Sequence, residues 1–280
     1  MAVLLIPNTT KDLGLTVTRR IAALLQQWNI MALLPDTYPD AEIPGVKILP
    51  EEDAYRAADQ VLTIGGDGTL LRCGHFCVRY NKPVLGVNLG RTGFLATCEV
   101  EELPEKLRRL AAGEYRLMGR GMLSAWATDD AWHTEAINDV VVFGETRMHP
   151  MDFSVYCDGA FVSSYRSDGL IVATPTGSTA YSFSAGGPVL DGAADVMVLT
   201  PVCAHNVHTA PLVFAANRTL EIVADSENRD TCYASADSGT QYSLMPGQRM
   251  HVSAAPHKLQ LITFQESEQF FAIENKLMRR

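Results

Sequence analysis

The sequence predicts an α/β domain followed by a β-rich one, and two features of its pattern carry that reading. Up to about residue 100, short apolar runs alternate with helical spacing, as in a parallel sheet of βαβ units. Residues 115–255 instead carry many short alternating runs separated by turn residues. At 280 residues the chain can form two ordinary domains whose cores need neither disulfides nor a structural metal.

Each element has its own signal. Residues 3–6, VLLI, read as a buried strand. Ile21, Leu24, Leu25 and Trp28 fall at i, i+3, i+4 and i+7, one face of a helix. Val61–Ile64 is a second apolar run, closed by GGDGT, and Leu70 to Arg79 can follow as a helix. Val84–Val87 is a third, closed by NLGRTG. In parallel sheets ligands gather at the C-terminal ends of strands, where both glycine-rich loops fall. Residues 101–112 read as a polar-faced helix stopped by Gly113. In FSVYCDGAFVSSY, Asp158-Gly159 separates two alternating runs and signals a hairpin. The expected division is residues 1–100 as the α/β domain and 101–255 as the β-rich domain. The tail, 256–280, contains FFAIENKL and is apolar enough to pack back on the first domain.

Composition narrows the function. Lys+Arg is 23 and Asp+Glu is 32, so the net charge is 23 − 32 = −9. A general nucleic-acid binder needs the opposite sign to displace counterions. A small anion held by local dipoles stays open. No apolar run reaches the roughly 18 residues of a membrane span, and MAVLLIPNTT lacks the basic segment of a signal peptide. The expectation is a cytoplasmic protein with no membrane partner, whose six cysteines are free thiols. Cys73 and Cys77 flank His75, but no second Cys/His cluster completes four ligands, so no protein-held metal is expected.

Three segments can carry chemistry. In Gly65-Gly66-Asp67-Gly68-Thr69, glycines let backbone N–H groups converge on phosphate oxygens, and a helix start adds positive potential. An Asp there repels anions, which makes sense if it accepts a hydroxyl proton or holds Mg²⁺. A tight strand-to-helix turn with Asp as cap is the other reading. In residues 167–188, an apolar strand runs into a turn with five hydroxyl side chains between Thr174 and Tyr181. That suits a ribose or an adenine edge, or a capping turn with a small-residue packing surface. In Ile137-Asn138-Asp139, a carboxylate beside an amide can grip a sugar diol, though a turn before a strand explains it too. No P-loop, GxGxxG, GxSxG or kinase HRD/DFG motif is present. Arg72, Arg91, Arg120 and Arg166 are candidates for local positive charge. Trp28, Trp126, Trp132, Met148 and Met151 read as packing, and His205 and His208 as structural.

Taken together, GGDGT, the Asn-acidic pair and DGLIVATPTGSTAYSFSAGGP resemble the NAD kinase family in order and spacing. GVNLGRTGFLA, TPVCAHNVHTAPLV and FFAIENKL resemble its further blocks, so the likeness covers nearly the whole chain. It implies a Rossmann-like parallel-sheet domain plus a β-rich domain. It also implies phosphoryl transfer from ATP or inorganic polyphosphate, with Mg²⁺, to the 2′-hydroxyl of NAD's adenosine ribose. By that resemblance Asp67 is the proton acceptor, and Gly68 and Arg72 touch the same ligand. Asn138 and Asp139 match the family's Asn-Glu pair. His149, Arg166 and Asp168 match further NAD contacts. Thr179, Ala180, Tyr181, Ser182, Phe183 and Ser184 match the segment around the adenosine, and Cys203 a carbonyl near the adenine. A site completed by a neighbouring subunit, hence a dimer or tetramer, is implied as well. The sequence departs from the family at Asp139 (usually Glu), Ala204 (usually Pro), Ala210 (usually Arg) and DSGTQ at 237–241 (usually DGQ-like). Two other functions compete: a GGDGT-type lipid or sugar kinase, and a dinucleotide-binding regulator without catalysis.

Overall fold

Parallel pairing of the apolar runs organises the N-terminal part of the computed structural model of the chain. The structure describes residues 1–38, 42–90, 93–128, 132–146, 149–205, 209–265 and 272–274. Its chain begins with β1 (Ala2–Pro7), α1 (Thr16–Gln27), β2 (Met31–Pro35), β3 (Val46–Leu49) and α2 (Glu51–Ala57). There follow β4 (Gln60–Gly65), α3 (Asp67–Arg79), β5 (Val84–Asn88), β6 (Cys98–Glu99) and α4 (Leu103–Ala111). The strands pair in parallel in the order β5-β4-β1-β2-β3, with β6 beside β5. Chain order reverses between β1 and β4, since β1 has β2 on one side and β4 on the other. Such a reversal leaves a crevice at the strands' C-terminal ends. The loop after Pro7 and the loop after Gly65 stand there.

The apolar faces explain this packing. Ile21 and Leu25 of α1 join Leu62 and Leu85 of the strands and Leu103, Leu107 and Leu110 of α4 in one buried cluster. β2, β3 and α2 carry weak sequence signals: MALLP and VKIL are four or five residues long, and VKIL is half-exposed at the sheet edge. α3 starts at Asp67 instead of Leu70, because the N–H groups of Thr69 and Leu70 already donate to Gly66 O.

The first unit runs over Met1–Gly119 and resumes at Leu259–Arg280; the second is Arg120–Lys258. The expected boundary near residue 100 therefore moves to 119. β6 pairs with β5, α4 fills the first core, and Gln60 Nε2 donates to Tyr115 Oη at 2.7 Å. The chain returns to the first unit at Leu259, later than residue 256, and Leu261 pairs with Val84. Of the apolar tail, Phe270, Phe271 and residues 275–277 lie outside the described residues, as do Arg91, Met148 and His208.

The second unit continues with β7 (Arg116–Ala127, entering from the first), β8 (His133–Ala136), β9 (Asp139–Gly144), β10 (Met151–Cys157), β11 (Ala160–Ser167) and β12 (Gly169–Ala173). It ends with α5 (Tyr181–Ser184), β13 (Val196–Val202), β14 (Leu212–Ala215), β15 (Leu220–Ala224), β16 (Cys232–Ala236), β17 (Tyr242–Leu244) and β18 (Arg249–Thr263), the last leading back to the first unit. One antiparallel sheet has the order β14-β13-β12-β9-β16-β17; β11, β10, β15 and the start of β18 form the run facing it. Val140 and Val142, Leu170 and Val172, Phe153 and Val155 and Ile222 meet in the shared core, as period-two alternation requires. Asp158 and Gly159 both have positive φ, 49° and 81°, the geometry a two-residue hairpin needs. Trp126 stacks on His251 and Trp132 on Tyr242, so both act in packing. Among the described residues no helix is long and apolar enough to cross a membrane.

Gly86 in β5 shows how tightly this frame holds the loop beyond it. A Cβ there would stand 2.6 Å from Ala96 Cα and 3.0 Å from Leu70 Cδ1. Gly86→Ala should therefore destabilise the protein by about 1–3 kcal/mol through overpacking. Urea unfolding should show a lower midpoint with unchanged slope.

Candidate active site

The first unit's candidate site grows from the two loops at the sheet reversal. Asp67 opens α3, and its carboxylate reaches across to the loop before β6. The N–H groups of Phe94, Leu95 and Ala96 donate to it at 2.8, 3.0 and 2.9 Å. A carboxylate has about four acceptor directions, and three serve this loop. Asp67 is thus not the cap of its own helix; it fastens a distant segment to the glycine loop. Glycines permit the approach: a Cβ on Gly93 would run into Asp67 Oδ1, and one on Gly65 into Thr69 Oγ1. Gly68 is different. It is exposed, and a Cβ there would meet nothing within 4 Å, so packing does not demand glycine.

Beside this loop lies a cavity of about 320 Å³ lined by Asn8, Thr10, Tyr38, Thr69, Arg72 and Phe76, among others. Asn8 Nδ2 donates to Thr69 Oγ1 at 3.2 Å, tying the β1 loop to GGDGT. Asn8, Thr10 and Lys11 carry no motif; only the strand order brings them to the glycine loop. Arg72, five residues along α3 from Asp67, lines this cavity. Arg120 does not offer exposed charge: it is buried in the second unit, where burial lowers its guanidinium pKa against the opposing charge of Asp191. Cys73 and Cys77 are buried on α3, and the Cys73 contact together with burial pushes the Cys77 thiol well up. Among the described residues no three His, Cys, Asp or Glu side chains gather as a metal cage.

The β-rich unit carries candidate residues of its own. Asn138 and Asp139 form the corner entering β9. Asp237, at a positive φ of 46° in the turn after β16, holds that corner. Its carboxylate accepts the N–H groups of Ile137, Asn138 and Asp139 at 2.7, 2.7 and 3.2 Å. Sequence reading noted 237–241 only as a departure from a family turn and missed this role. Asp139 is buried at 6% exposure. Burial, then the charge of Asp237, pushes its carboxyl up from 3.8 to about 7.

The hydroxyl-rich turn lies against this corner. Thr174 N–H donates to Asn138 O at 2.8 Å and Thr174 Oγ1 to Ile137 O at 2.7 Å, while a Cβ on Gly177 would run into Asn138 O. Most of its hydroxyls serve the turn itself. Ser178 Oγ donates to Pro175 O and accepts Leu190 N–H; Thr179 Oγ1 donates to Thr176 O. Ser182 is fully buried, with its Oγ 2.8 Å from Thr200 Oγ1, so it shapes the segment from within. Tyr181 and Phe183 are exposed, at 45% and 42%. Ser184 is exposed and donates to Ala180 O at 3.4 Å.

The remaining candidates stand at the other end of β12. Asp168 N–H donates to Val202 O, next to Cys203, and His205 N–H to Arg166 O. Arg166 pairs with Asp152 at 3.5 Å. The exposed His149 places Nδ1 2.9 Å from Asp230, whose carboxyl that contact lowers. The five residues of β12 rise about 13 Å, which separates this group from Asn138 and Asp139.

The first unit thus carries a glycine loop at a sheet reversal, and the second carries a clamped Asn-Asp corner beside a hydroxyl-rich turn. Comparison with known proteins gives the family. Residues 46–115 match the ATP-NAD kinase N-terminal domain and residues 137–264 the ATP-NAD kinase C-terminal domain. NAD kinase of Pseudomonas entomophila is 35% identical over 253 residues, 89% of this chain and 85% of that one. NAD kinase of Pseudomonas syringae pv. tomato is 34% identical over the same length. In fold, the chain resembles yeast NADH kinase complexed with NADH (TM-score 0.86, 23% identity, 99% of this chain and 87% of that one). It also resembles an Archaeoglobus fulgidus NAD kinase in complex with ATP (TM-score 0.77, 23% identity, 98% and 99%). The chain belongs to the NAD kinase family.

Asp139 gives a pH signature. Between about 4 and about 7 the folded state holds a proton that the unfolded chain has lost, so stability falls as pH rises through that window and levels off above it. Urea unfolding at pH 5 and pH 8 should differ by up to about 2.6 kcal/mol from this group. Asp139→Asn should flatten that slope and be the more stable form at pH 8. An unchanged slope in the variant would place the titration elsewhere.

Proposed function

We propose that the chain transfers a phosphoryl group from ATP or inorganic polyphosphate to the 2′-hydroxyl of NAD's adenosine ribose, making NADP. The observation that carries this is Asp67: a carboxylate held in place at the start of α3, on the loop at the sheet reversal, next to an open Gly68. A loose, metaphosphate-like transition state does not need the hydroxyl ionised beforehand. It needs the oxygen in line, and a base to take its proton late. Asp67 orients the hydroxyl and accepts that proton, exchanging one loop N–H for the ribose. Gly68 keeps the approach clear of a side chain, and Arg72 follows on the same helix, lining the adjoining cavity.

In the second unit Asn138 and Asp139 hold the ribose of NAD, and the exposed rings of Tyr181 and Phe183, with Thr179, Ala180 and Ser184, flank its adenosine. Buried Ser182 keeps that segment in shape. His149, Arg166, Asp168 and Cys203 contact a dinucleotide from the far end of β12. Two groups of NAD-directed residues a strand's length apart favour a homo-oligomer, dimer or tetramer, in which one chain's far group serves its neighbour's ligand. The donor phosphates would carry Mg²⁺, which would supply charge neutralisation there. Six cysteines without a disulfide among them fit the reducing cytoplasm. The polar edge that Asn8, Thr10 and Arg72 give the neighbouring cavity disfavours a lipid acceptor.

Incubation with NAD, Mg²⁺ and either ATP or polyphosphate should yield NADP with at least one donor; no NADP with any donor overturns the reading. Asp67→Asn should lower kcat by about 10²–10⁴ while leaving NAD binding largely intact. The same change should cost about 1–3 kcal/mol of stability, because a carboxamide cannot accept all three loop N–H bonds. Stopped-time NADP assays and thermal unfolding measure the two effects separately. Gly68→Ala should leave unfolding unchanged or slightly improved and lower kcat/KM.

A further inference from the structure

Lys11 stands in the crevice at the C-terminal end of β1, and its position is built from both sides. On one side Asn8 O accepts the N–H groups of Lys11 and Asp12 at 3.0 and 2.8 Å, while Asn8 Oδ1 accepts Thr10 N–H and Oγ1–H at 3.1 and 2.7 Å. On the other, Asp12 is buried, and its carboxylate accepts Val17 N–H, Thr18 N–H and Thr18 Oγ1–H at 2.9, 2.9 and 2.6 Å. The backbone that presents Lys11 is therefore fixed. The side chain is exposed and lies over the glycine loops: Nζ is 3.0 Å from where a Cβ on Gly66 would stand and 3.7 Å from the same point on Gly90. Among the described residues its ammonium has no hydrogen-bond or ion-pair partner.

An ammonium offers three donors and no acceptor. Placed beside the N–H groups that open α3, it repels other cations and adds to the positive potential of the helix start. The partner that satisfies it is an anion with several oxygens. We propose that Lys11 binds the terminal phosphates of the phosphoryl donor and holds them against Gly66. The naming of that anion as the donor rests on the kinase reading above. ATP and inorganic polyphosphate present the same phosphate chain, so the contact serves either.

The test uses the full-length protein and its Lys11→Met and Lys11→Arg variants. One arm varies Mg·ATP at saturating NAD, and NAD at saturating Mg·ATP. A second measures binding of Mg·tripolyphosphate alone, without NAD, by calorimetry. Lys11→Met should raise the KM for ATP and the Kd for tripolyphosphate by about 10–100-fold, the range of a hydrogen bond to a charged group. The KM for NAD should stay within about twofold, and Lys11→Arg should recover most of the loss. Thermal unfolding of Lys11→Met should match the parent, as an exposed side chain without protein partners allows. Unchanged donor KM and tripolyphosphate Kd in Lys11→Met overturn the proposal. So does a parallel rise in the KM for NAD, or weakened ATP with unweakened tripolyphosphate. The tripolyphosphate arm is independent of the reaction: a parent that makes no NADP but loses tripolyphosphate binding in Lys11→Met defeats the kinase reading and keeps the anion site.

Discussion

The functional loops of this protein hang on carboxylates that accept backbone N–H groups. Asp12, Asp67 and Asp237 each gather three donors, and in each case most or all of them are main-chain amides of a loop or helix start. The physical need is plain. Loops leaving strand ends carry amide hydrogens with no ladder partner, and a buried orphan N–H is costly. An ionised carboxylate satisfies several at once, with bonds stronger than those of neutral acceptors. Three aspartates therefore fix the β1 loop, the loop before β6 and the corner before β9, the segments that bear the candidate chemistry.

The same device creates a tension in the second unit. Asp237 holds residues 137–139 through its carboxylate, and Asp139 lies buried beside it. Two carboxylates in one partly dry corner do not ionise equally. Asp237 accepts the three amides, and burial together with the neighbouring Asp237 carboxylate pushes Asp139 toward neutrality. A residue that matches a family glutamate thereby becomes a group that titrates near neutral pH.

Much of this was legible in the sequence. Ile21, Leu24, Leu25 and Trp28 located α1 through their spacing, and Asp158-Gly159 located a hairpin through residues that tolerate positive φ. GGDGT marked its strand-to-helix turn by composition alone. What stayed hidden depends on pairing between distant residues. Nothing local to PNTTK shows that β1 will lie beside β4, so neither Asn8 nor Lys11 had a signal. The clamp from Asp237 to Asn138 spans 99 residues. The hydroxyls of 174–184 read as ligand donors because composition cannot distinguish a group facing solvent from one folded inward; Ser178 and Ser182 proved to be inward ones. Arg120 misled in the same way, since a charged residue type carries no mark of its burial.

A net charge of −9 and a polyanionic substrate are compatible once distance is considered. At physiological salt, charges more than about 8 Å apart are largely screened, so the total matters less than what faces the ligand. Facing the crevice are amide hydrogens at the start of α3, the guanidinium of Arg72 in the adjoining cavity and the ammonium of Lys11. The carboxylate on the glycine loop, Asp67, is turned onto the amides of residues 94–96, which draw its field inward. An acidic group can thus sit at a phosphate site without repelling the phosphates, provided its oxygens are bound from behind. That geometry, and not the overall balance of acids and bases, decides whether the loop accepts an anion.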